Sequence, residues 1–191
     1  MLLGGAGDQV PLRRTGDSRR RTGHSIGAEA LRTWELIEGD GAGPLRVATR
    51  QVEIPLRDIP SVEDARRALE ATGDPTGTGA VQERHQLSLA ERYEGKDSYC
   101  VELWSMALGD QWGLVGLPGE ILCEIELQIR QRSPFANTCV VELALEAAGY
   151  MPTDMSIDQG GYEPGFTPFG RGTEAALVEG ATQALQAVSG S

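Results

Sequence analysis

The sequence predicts a single domain with a mixed α and β fold, and three observations lead to that class. The chain has 191 residues, which suits one domain at about 100–200 residues per domain. Hydrophobic residues make up 40% and charged residues 24%, the ordinary balance of a protein that buries a core. Glycine and proline occur 25 and 10 times, which is too often for a helical bundle and favours short elements joined by tight turns.

Apolar residues at helical spacing predict five helices along the chain. The first contains Ile26 and Trp34, and we expect it to begin at Thr22 or Ser25 as the N-cap and to stop at Gly39. The others are predicted over residues 61–73, where Ser61 and Asp64 resemble a capping box, and over 81–93, 120–129 and 177–188.

Runs rich in β-forming residues predict four strands, over residues 45–56, 99–108, 111–117 and 138–145. In the first strand, Pro55 indicates an edge position, and a change of phase near Arg50 indicates a bulge. Gly109 and Asp110 predict a tight hairpin between the second and third strands. Residues 149–172 are rich in glycine, proline and aromatics, and we expect them to form a long irregular loop. Loops of this length in a compact domain often carry function.

Charge and cysteine content exclude several classes of partner and site. The net charge of −11 repels phosphates and anionic membrane surfaces, so we expect no nucleic-acid partner. The arginines within residues 11–23 are expected to lie in a solvated loop. The cysteines lack a paired C-x-x-C pattern, and we expect buried free thiols at Cys100, Cys123 and Cys139. We find neither an apolar run near the ~20 residues of a membrane helix nor a signal peptide, and the compartment stays undetermined.

Glu120 and Tyr162 are the first candidates for chemistry. Glu120 lies between a predicted strand and a predicted helix, and Tyr162 follows two glycines in QGGYE at residues 159–163. A carboxylate and a phenol are both oxygen donors, and Zn²⁺ accepts carboxylate oxygen at about 2.0–2.2 Å. A simpler interpretation stays open, in which Glu120 complements the positive end of its helix and Tyr162 fills a gap in the core.

Five short stretches, in order, resemble the neutral/alkaline non-lysosomal ceramidase family and its bacterial relatives, in the C-terminal half of their catalytic domain. GDQVP at residues 7–11 resembles the family turn G-D-x-S-P. Residues 109–120, which begin with Gly109-Asp110 and end with LPGE, resemble the hairpin that leads to P-x-E. SPF at 133–135 and GYMPT at 149–153 resemble S-P-F and G-Y-I-P-T. The most specific match is at residues 162–170, which resemble Y-E-x-x-x-T-x-[FY]-G.

The resemblance implies a zinc amidase that cleaves the amide between a fatty acid and a sphingoid base. In the family, two histidines, one glutamate and one tyrosine hold the metal. By position, Glu120 matches the glutamate and Tyr162 matches the tyrosine, so these two are the predicted metal ligands. Gly7 and Asp8 match the turn that shapes the opposite wall, and they are the predicted substrate-binding residues. Zinc and a lipid amide substrate are therefore expected.

The chain departs from the family pattern at three places. The two histidine ligands of the family precede the Gly-Asp turn, in a region outside this chain, and neither His24 nor His85 lies in a matching motif. We expect both histidines to be solvated surface residues. The family serine is replaced by Val10, which has no hydroxyl group. An asparagine of the relatives is replaced by Leu145, which loses a hydrogen-bonding side chain.

Two functions follow as expectations. The first is a ceramidase-like zinc hydrolase of an N-acyl lipid-like amide bond, with an incomplete ligand set in this chain. The second is a catalytically inactive relative that serves as a binding or interaction module. Because residues 2–7 resemble the end of a buried strand and its turn, we expect residues 1–191 to be the C-terminal portion of a ceramidase-like hydrolase domain. Exposed core surface would then promote self-association.

Overall fold

The computed structural model describes residues 3–10, 16–39 and 43–190, and within them both helices and strands are present. The helices are α1 (Ser18–Leu36), α2 (Val62–Ala71), α3 (Val81–Tyr93), α4 (Cys123–Arg132), α5 (Asp154–Gln159), α6 (Tyr162–Gly165) and α7 (Thr173–Val188). The strands are β1 (Leu45–Pro55), β2 (Ser98–Leu108), β3 (Trp112–Gly116), β4 (Glu120–Ile121), β5 (Asn137–Val141) and β6 (Tyr150–Met151). The prediction of a mixed α and β fold is confirmed.

Four strands form the main sheet in the order β1-β2-β3-β5. Strand β2 pairs antiparallel with both β1 and β3, whereas β3 and β5 are parallel. The hairpin between β2 and β3 closes at the pair Leu108 and Trp112, so its loop has one residue more than the predicted Gly109-Asp110 turn. Strands β4 and β6 form a separate parallel pair.

Helix α7 covers one face of the main sheet and closes the core. The apolar residues predicted for its inner face are all buried, namely Leu177, Ala181, Ala184, Leu185 and Val188. A Cβ atom at Gly180 would lie 2.5 Å from a methyl carbon of Val52 on β1. Glycine at this position therefore lets the helix approach the sheet closely.

Strand β1 lies at the edge of the sheet, as Pro55 predicts, but it has no bulge. Its pairing with β2 continues without interruption from Leu45 to Pro55. Val52 and Ile54 face the core, whereas Leu45 and Val47 are exposed on the other face. The apparent change of phase at Arg50 arises because β1 carries apolar residues on both faces.

The arginine-rich segment is largely helical rather than a solvated loop. Helix α1 begins at Ser18 and ends at Leu36, with Asp17 rather than Thr22 or Ser25 as its N-cap. Arginine is a good helix former, and this places Arg19–21 inside the first turns. The predicted stop at Gly39 comes after the end of the helix, and residues 11–15 of the expected loop lie outside the described residues.

Helices α2 and α3 follow the sequence pattern closely. The hydroxyl of Ser61 accepts a hydrogen bond from the amide of Asp64 at 3.1 Å, so the predicted cap is confirmed. Helix α3 covers the predicted residues 81–93.

The cysteines are free, but they are less buried than expected, with Cys100 exposed and the other two half-buried. No helix among the described ranges combines the length and apolar character needed to cross a membrane.

Two further elements differ from the sequence prediction near the candidate residues. Strand β5 ends at Val141, since Leu143 and Leu145 adopt φ angles of 54° and 70°, which no strand residue has. The segment 149–172 holds β6, α5 and α6 instead of an irregular loop. Each of these elements is too short for periodicity to detect.

Candidate functional site

Glu120 lies in strand β4 and not in the first turn of a helix. Helix α4 begins only at Cys123, so Glu120 does not complement a helix end, and that simpler interpretation is wrong. The amide of Glu120 donates to the carbonyl of Gly149 at 2.9 Å, and Glu120 is the register partner of Tyr150 on β6. The preceding Gly119 has a φ angle of 80°, which glycine adopts without strain.

Tyr150 contacts both Glu120 and Tyr162. Burial raises the pKa of the Tyr150 hydroxyl, and the charge of Glu120 and a hydrogen bond with that carboxylate raise it further. The rings of Tyr150 and Tyr162 meet edge to face, with centroids 6.1 Å apart. Tyr162 also lies 4.6 Å from the ring of Phe166, centroid to centroid. The structure therefore places Glu120 and Tyr162 on the same side of the molecule, with Tyr150 between them.

Tyr162 is positioned at the start of α6, next to two glycines with positive φ angles, Gly160 at 69° and Gly161 at 124°. Its side chain is 62% exposed. The interpretation that Tyr162 fills a gap in the core is therefore wrong. Its ring packs against that of Phe166, and much of the side chain stays open to solvent.

The Gly-Asp turn at residues 7 and 8 lies against the backbone of β4 and α4. The amide of Gly7 donates to the carbonyl of Ile121 at 2.9 Å, and a Cβ atom at Gly7 would lie 2.9 Å from the carbonyl oxygen of Glu120. The carboxylate of Asp8 accepts from the amide of Cys123 at 3.0 Å. Asp8 thus satisfies an unpaired N–H group at the start of α4 and fixes the turn beside Glu120.

Glu142 is a buried carboxylate that sequence reasoning missed. It is 6% exposed and accepts from the amides of Ile121 at 2.9 Å and Ala6 at 3.3 Å. One side chain therefore holds both the Gly-rich turn and strand β4. In the sequence, Glu142 lies within the strand predicted over residues 138–145, and no local signal distinguishes it from a solvent-facing glutamate.

Burial raises the pKa of the Glu142 carboxyl, and the charges of Glu120 and Glu126 add to this, while the two backbone hydrogen bonds oppose it. The folded protein therefore holds this proton more tightly than the unfolded chain does. The protonated Glu142 carboxyl contributes to the free energy of unfolding, and this contribution is fully present below the ordinary pKa of 4.5. It is lost as the pH rises through the raised pKa of the folded protein.

We expect the exchange Glu142→Gln to remove this part of the pH dependence, because glutamine does not titrate. Denaturant midpoints measured between about pH 4 and pH 7 should fall less steeply in the variant than in the parent chain. Glu124 is exposed on α4, and Glu124→Gln serves as the matched control with an unchanged slope. Equal slopes for the parent chain and Glu142→Gln would contradict the assignment.

The two histidines lie in different environments. His24 is exposed on α1, as expected, but His85 is half-buried rather than solvated. Its Nε2 donates to the carbonyl of Phe166 at 3.2 Å, and its ring lies 5.0 Å from that of Phe166. Burial lowers the pKa of His85, and the positive charge of Arg57 lowers it further.

The donor set fits zinc only in part. The Glu120 carboxylate and the Tyr162 phenol are two oxygen donors, whereas a zinc site in a protein has about four ligands. Within residues 3–10, 16–39 and 43–190, no group of three or more His, Cys, Asp or Glu side chains could hold a metal ion. The described residues therefore do not form a closed zinc site by themselves.

Comparisons with known proteins show which solved structures the fold resembles. No family model matches the sequence, and no curated protein matches it. The structure is similar to that of the neutral ceramidase from Pseudomonas aeruginosa, with a TM-score of 0.61 and 18% identity over 96% of this chain. It is also similar to a ceramidase complexed with C2, with a TM-score of 0.58 and 16% identity over 90%. The chain spans 35% of the length of each of these, so its fold resembles part of a ceramidase domain.

Proposed function

We propose that this chain contributes one wall of the active site of a ceramidase-like hydrolase that cleaves an N-acyl lipid amide. The observation that carries the proposal is the grouping of Glu120 and Tyr162 around Tyr150. The similarity of the fold to part of two ceramidases supports the same reaction class. The grouping of these side chains supports the β4–β6 pair and the start of α6 as the reactive side of the molecule.

Tyr150 orients the Glu120 carboxylate for this role. The Tyr150 phenol is protonated at neutral pH, as an ordinary tyrosine is, and burial and the nearby charge of Glu120 raise its pKa. It can then donate to the Glu120 carboxylate and orient it. Glu120 and Tyr162 would act as zinc ligands, and the remaining ligands would come from outside the described residues. A zinc ion so bound would polarise the amide carbonyl and lower the pKa of a bound water.

The Gly-Asp turn would form the substrate-binding side of the site. Gly7 brings backbone close to β4 without a side chain in the way, and Asp8 is held by the Cys123 amide. Val10 is 66% exposed and carries no hydroxyl group. The side chain at position 10 therefore cannot act as a nucleophile, and we expect a bound water to take that role.

The test measures zinc binding and hydrolysis of an N-acyl sphingoid amide in parallel. We expect Glu120→Gln and Tyr162→Phe each to lower zinc affinity by about 10–100-fold and to lower hydrolysis with it. Glu124→Gln changes an exposed carboxylate in the first turn of α4 and should leave both unchanged. Zinc content and turnover that are unaffected by both site variants would refute the proposal.

A second function, a lipid-binding or interaction module without catalysis, is favoured by two observations. Val10 replaces the hydroxyl residue of the family motif, and the described part of the chain has no group of three metal-binding side chains. This function predicts saturable binding of the same N-acyl amide with no hydrolysis at any zinc concentration. Self-association through the exposed apolar face of β1, at Leu45 and Val47, remains a prediction for this form.

A further inference from the structure

A cavity of about 420 Å³ lies between the end of β1 and the segment of residues 157–171. Its walls are mostly apolar, but two arginines also line it, Arg57 and Arg171. The apolar side chains are those of Leu56, Ile157, Pro164 and Phe169. Ligand sites in proteins commonly enclose about 300–1,000 Å³ and combine apolar walls with a few polar groups. The size and lining of this cavity therefore suit a small amphipathic ligand.

The backbone at this cavity is fixed by pairing between two segments. The amide of Arg57 donates to the carbonyl of Pro168 at 2.9 Å, and the amide of Gly170 donates to the carbonyl of Pro55 at 2.9 Å. A Cβ atom at Gly170 would lie 2.9 Å from the carbonyl oxygen of Leu56 and 3.1 Å from the Cα atom of Arg57. Glycine therefore lets the two segments approach closely, and these contacts fix the point from which the Arg57 side chain extends.

The guanidinium of Arg57 has few hydrogen-bond partners, although the residue is half-buried. Its Nη2 donates to Oε1 of Gln86 at 3.0 Å, whereas its Nε is buried without a partner. Its Nη1 donates to none of the described residues and, unlike Nε, is open to solvent. Burial lowers the pKa of the Arg57 guanidinium, because removal from water disfavours the charged form.

No carboxylate in the described part of the chain forms an ion pair with Arg57, although the chain has 28 acidic residues against 17 basic ones. Asp158 pairs with Arg171 instead. The buried Oε2 of Glu83 on α3 also lacks a hydrogen-bond partner, but it makes no ion pair with Arg57. A partly buried charge without a counter-ion is unfavourable. An anion bound at Arg57 would therefore stabilise the folded protein.

We infer that this cavity binds an organic carboxylate with an apolar chain. The carboxylate accepts hydrogen bonds from Nη1 and Nη2 of Arg57, and the chain lies against Leu56 and Phe169. An arginine suits this ligand because two of its N–H groups can meet the two carboxylate oxygens. The apolar walls favour an alkyl chain over a bare phosphate ion, for which they offer no hydrogen-bond donor. The acid released by hydrolysis of an N-acyl amide belongs to this class, and that link alone rests on the proposed function.

The test is isothermal titration calorimetry of the full chain, without added metal, against three probes. We expect saturable binding of octanoate, and binding of octanamide, its uncharged analogue, that is weaker by about tenfold or more. Inorganic phosphate should also bind more weakly than octanoate. Octanoate should raise the midpoint of thermal unfolding, because it binds the folded state. Neither zinc nor hydrolysis enters these measurements, so their failure is distinguishable from a failure of the proposed hydrolase function.

Four variants separate the roles of charge and cavity. Arg57→Met should weaken octanoate binding by about tenfold or more and leave octanamide binding unchanged. Arg66→Met is the matched control, because the Arg66 side chain is 60% exposed on α2, and it should bind octanoate as the parent chain does. Ile157→Phe narrows the cavity without a change of charge and should weaken both octanoate and octanamide. Glu83→Gln should leave octanoate binding unchanged.

No saturable binding of octanoate, equal affinity for octanoate and octanamide, tighter binding of phosphate, or parental affinity in Arg57→Met would overturn the inference. A tenfold gain of octanoate affinity in Glu83→Gln would also overturn it, because Glu83 would then be the partner of Arg57 in solution. If Arg57→Met does not fold, the comparison of octanoate with octanamide and the effect of Ile157→Phe decide the outcome.

Discussion

Replacement of Gly119 by alanine is expected to destabilise the protein by about 3–5 kcal/mol and to separate β4 from β6. The new Cβ atom would lie 2.2 Å from the carbonyl oxygen of Gly149. That oxygen is the acceptor for the Glu120 amide at 2.9 Å, so relief of the clash breaks the hydrogen bond that holds Glu120 opposite Tyr150. The φ angle of 80° adds the strain of an L side chain in the left-handed region.

The matched control is Gly73→Ala, because Gly73 has a φ angle of 76° but no atom within 4 Å of the position of a Cβ atom. It should show only the conformational penalty, about 1–2 kcal/mol. Denaturant unfolding compares the two variants, and a spectroscopic titration of tyrosine follows Tyr150. In Gly119→Ala the raised Tyr150 pKa should fall, because separation of β4 from β6 reduces the burial of the hydroxyl and moves Glu120 away from it. If Gly119→Ala costs no more than Gly73→Ala, the close backbone approach is not a determinant of the site.

Phe169→Ala is expected to cost about 3–5 kcal/mol, the usual range for removal of a buried phenylalanine. Phe169 is 1% exposed, and its backbone forms a bridge to Leu56 just after β1. The amide of Phe169 donates to the hydroxyl of Thr167 at 3.1 Å. The residue thus anchors the segment that begins with Tyr162 onto the main sheet.

Urea unfolding measures the loss for Phe169→Ala, and limited proteolysis reports whether residues 154–170 open. Phe166→Ala is the comparison, because Phe166 is half-buried and stacks on Tyr162 without anchoring the sheet. It should reduce stability less and leave the segment resistant to protease. A cost below about 1.5 kcal/mol for Phe169→Ala would show that the segment is held by other contacts.

Helix prediction succeeded where the signal was local. The Ser61 cap, the bounds of α3 and the buried face of α7 all follow from residues within a few turns of one another. Prediction failed at the start of α1, because Ser18 precedes Ile26, the first residue of the apolar period. It also failed at β4, since a strand of two residues gives no periodic signal. In both cases a short-range pattern did not contain the information that decides where the element begins.

The candidate site was predictable only as a set of residues. The motif resemblance singled out Glu120 and Tyr162, and their roles as metal ligands stay a prediction. Their common neighbour Tyr150 was not singled out, because its place beside Glu120 depends on a strand pair between segments 30 residues apart. Leu145, where the resemblance implies an asparagine, adopts a φ of 70°, a conformation that asparagine tolerates better than leucine.

The amino-acid sequence by itself determined the fold class, the amphipathic helices and the turn glycines, because each depends on side-chain type and spacing along a short stretch of chain. Only the tertiary structure decided that Glu142 is buried under two backbone amides, that β4 pairs with β6, and that α1 lies apart from the core. These features depend on which distant segments meet when apolar surface is buried. Whether a carboxylate is buried on hydrogen-bond donors, and whether a helix face stays exposed, depends on the residues that pack beside it in the fold.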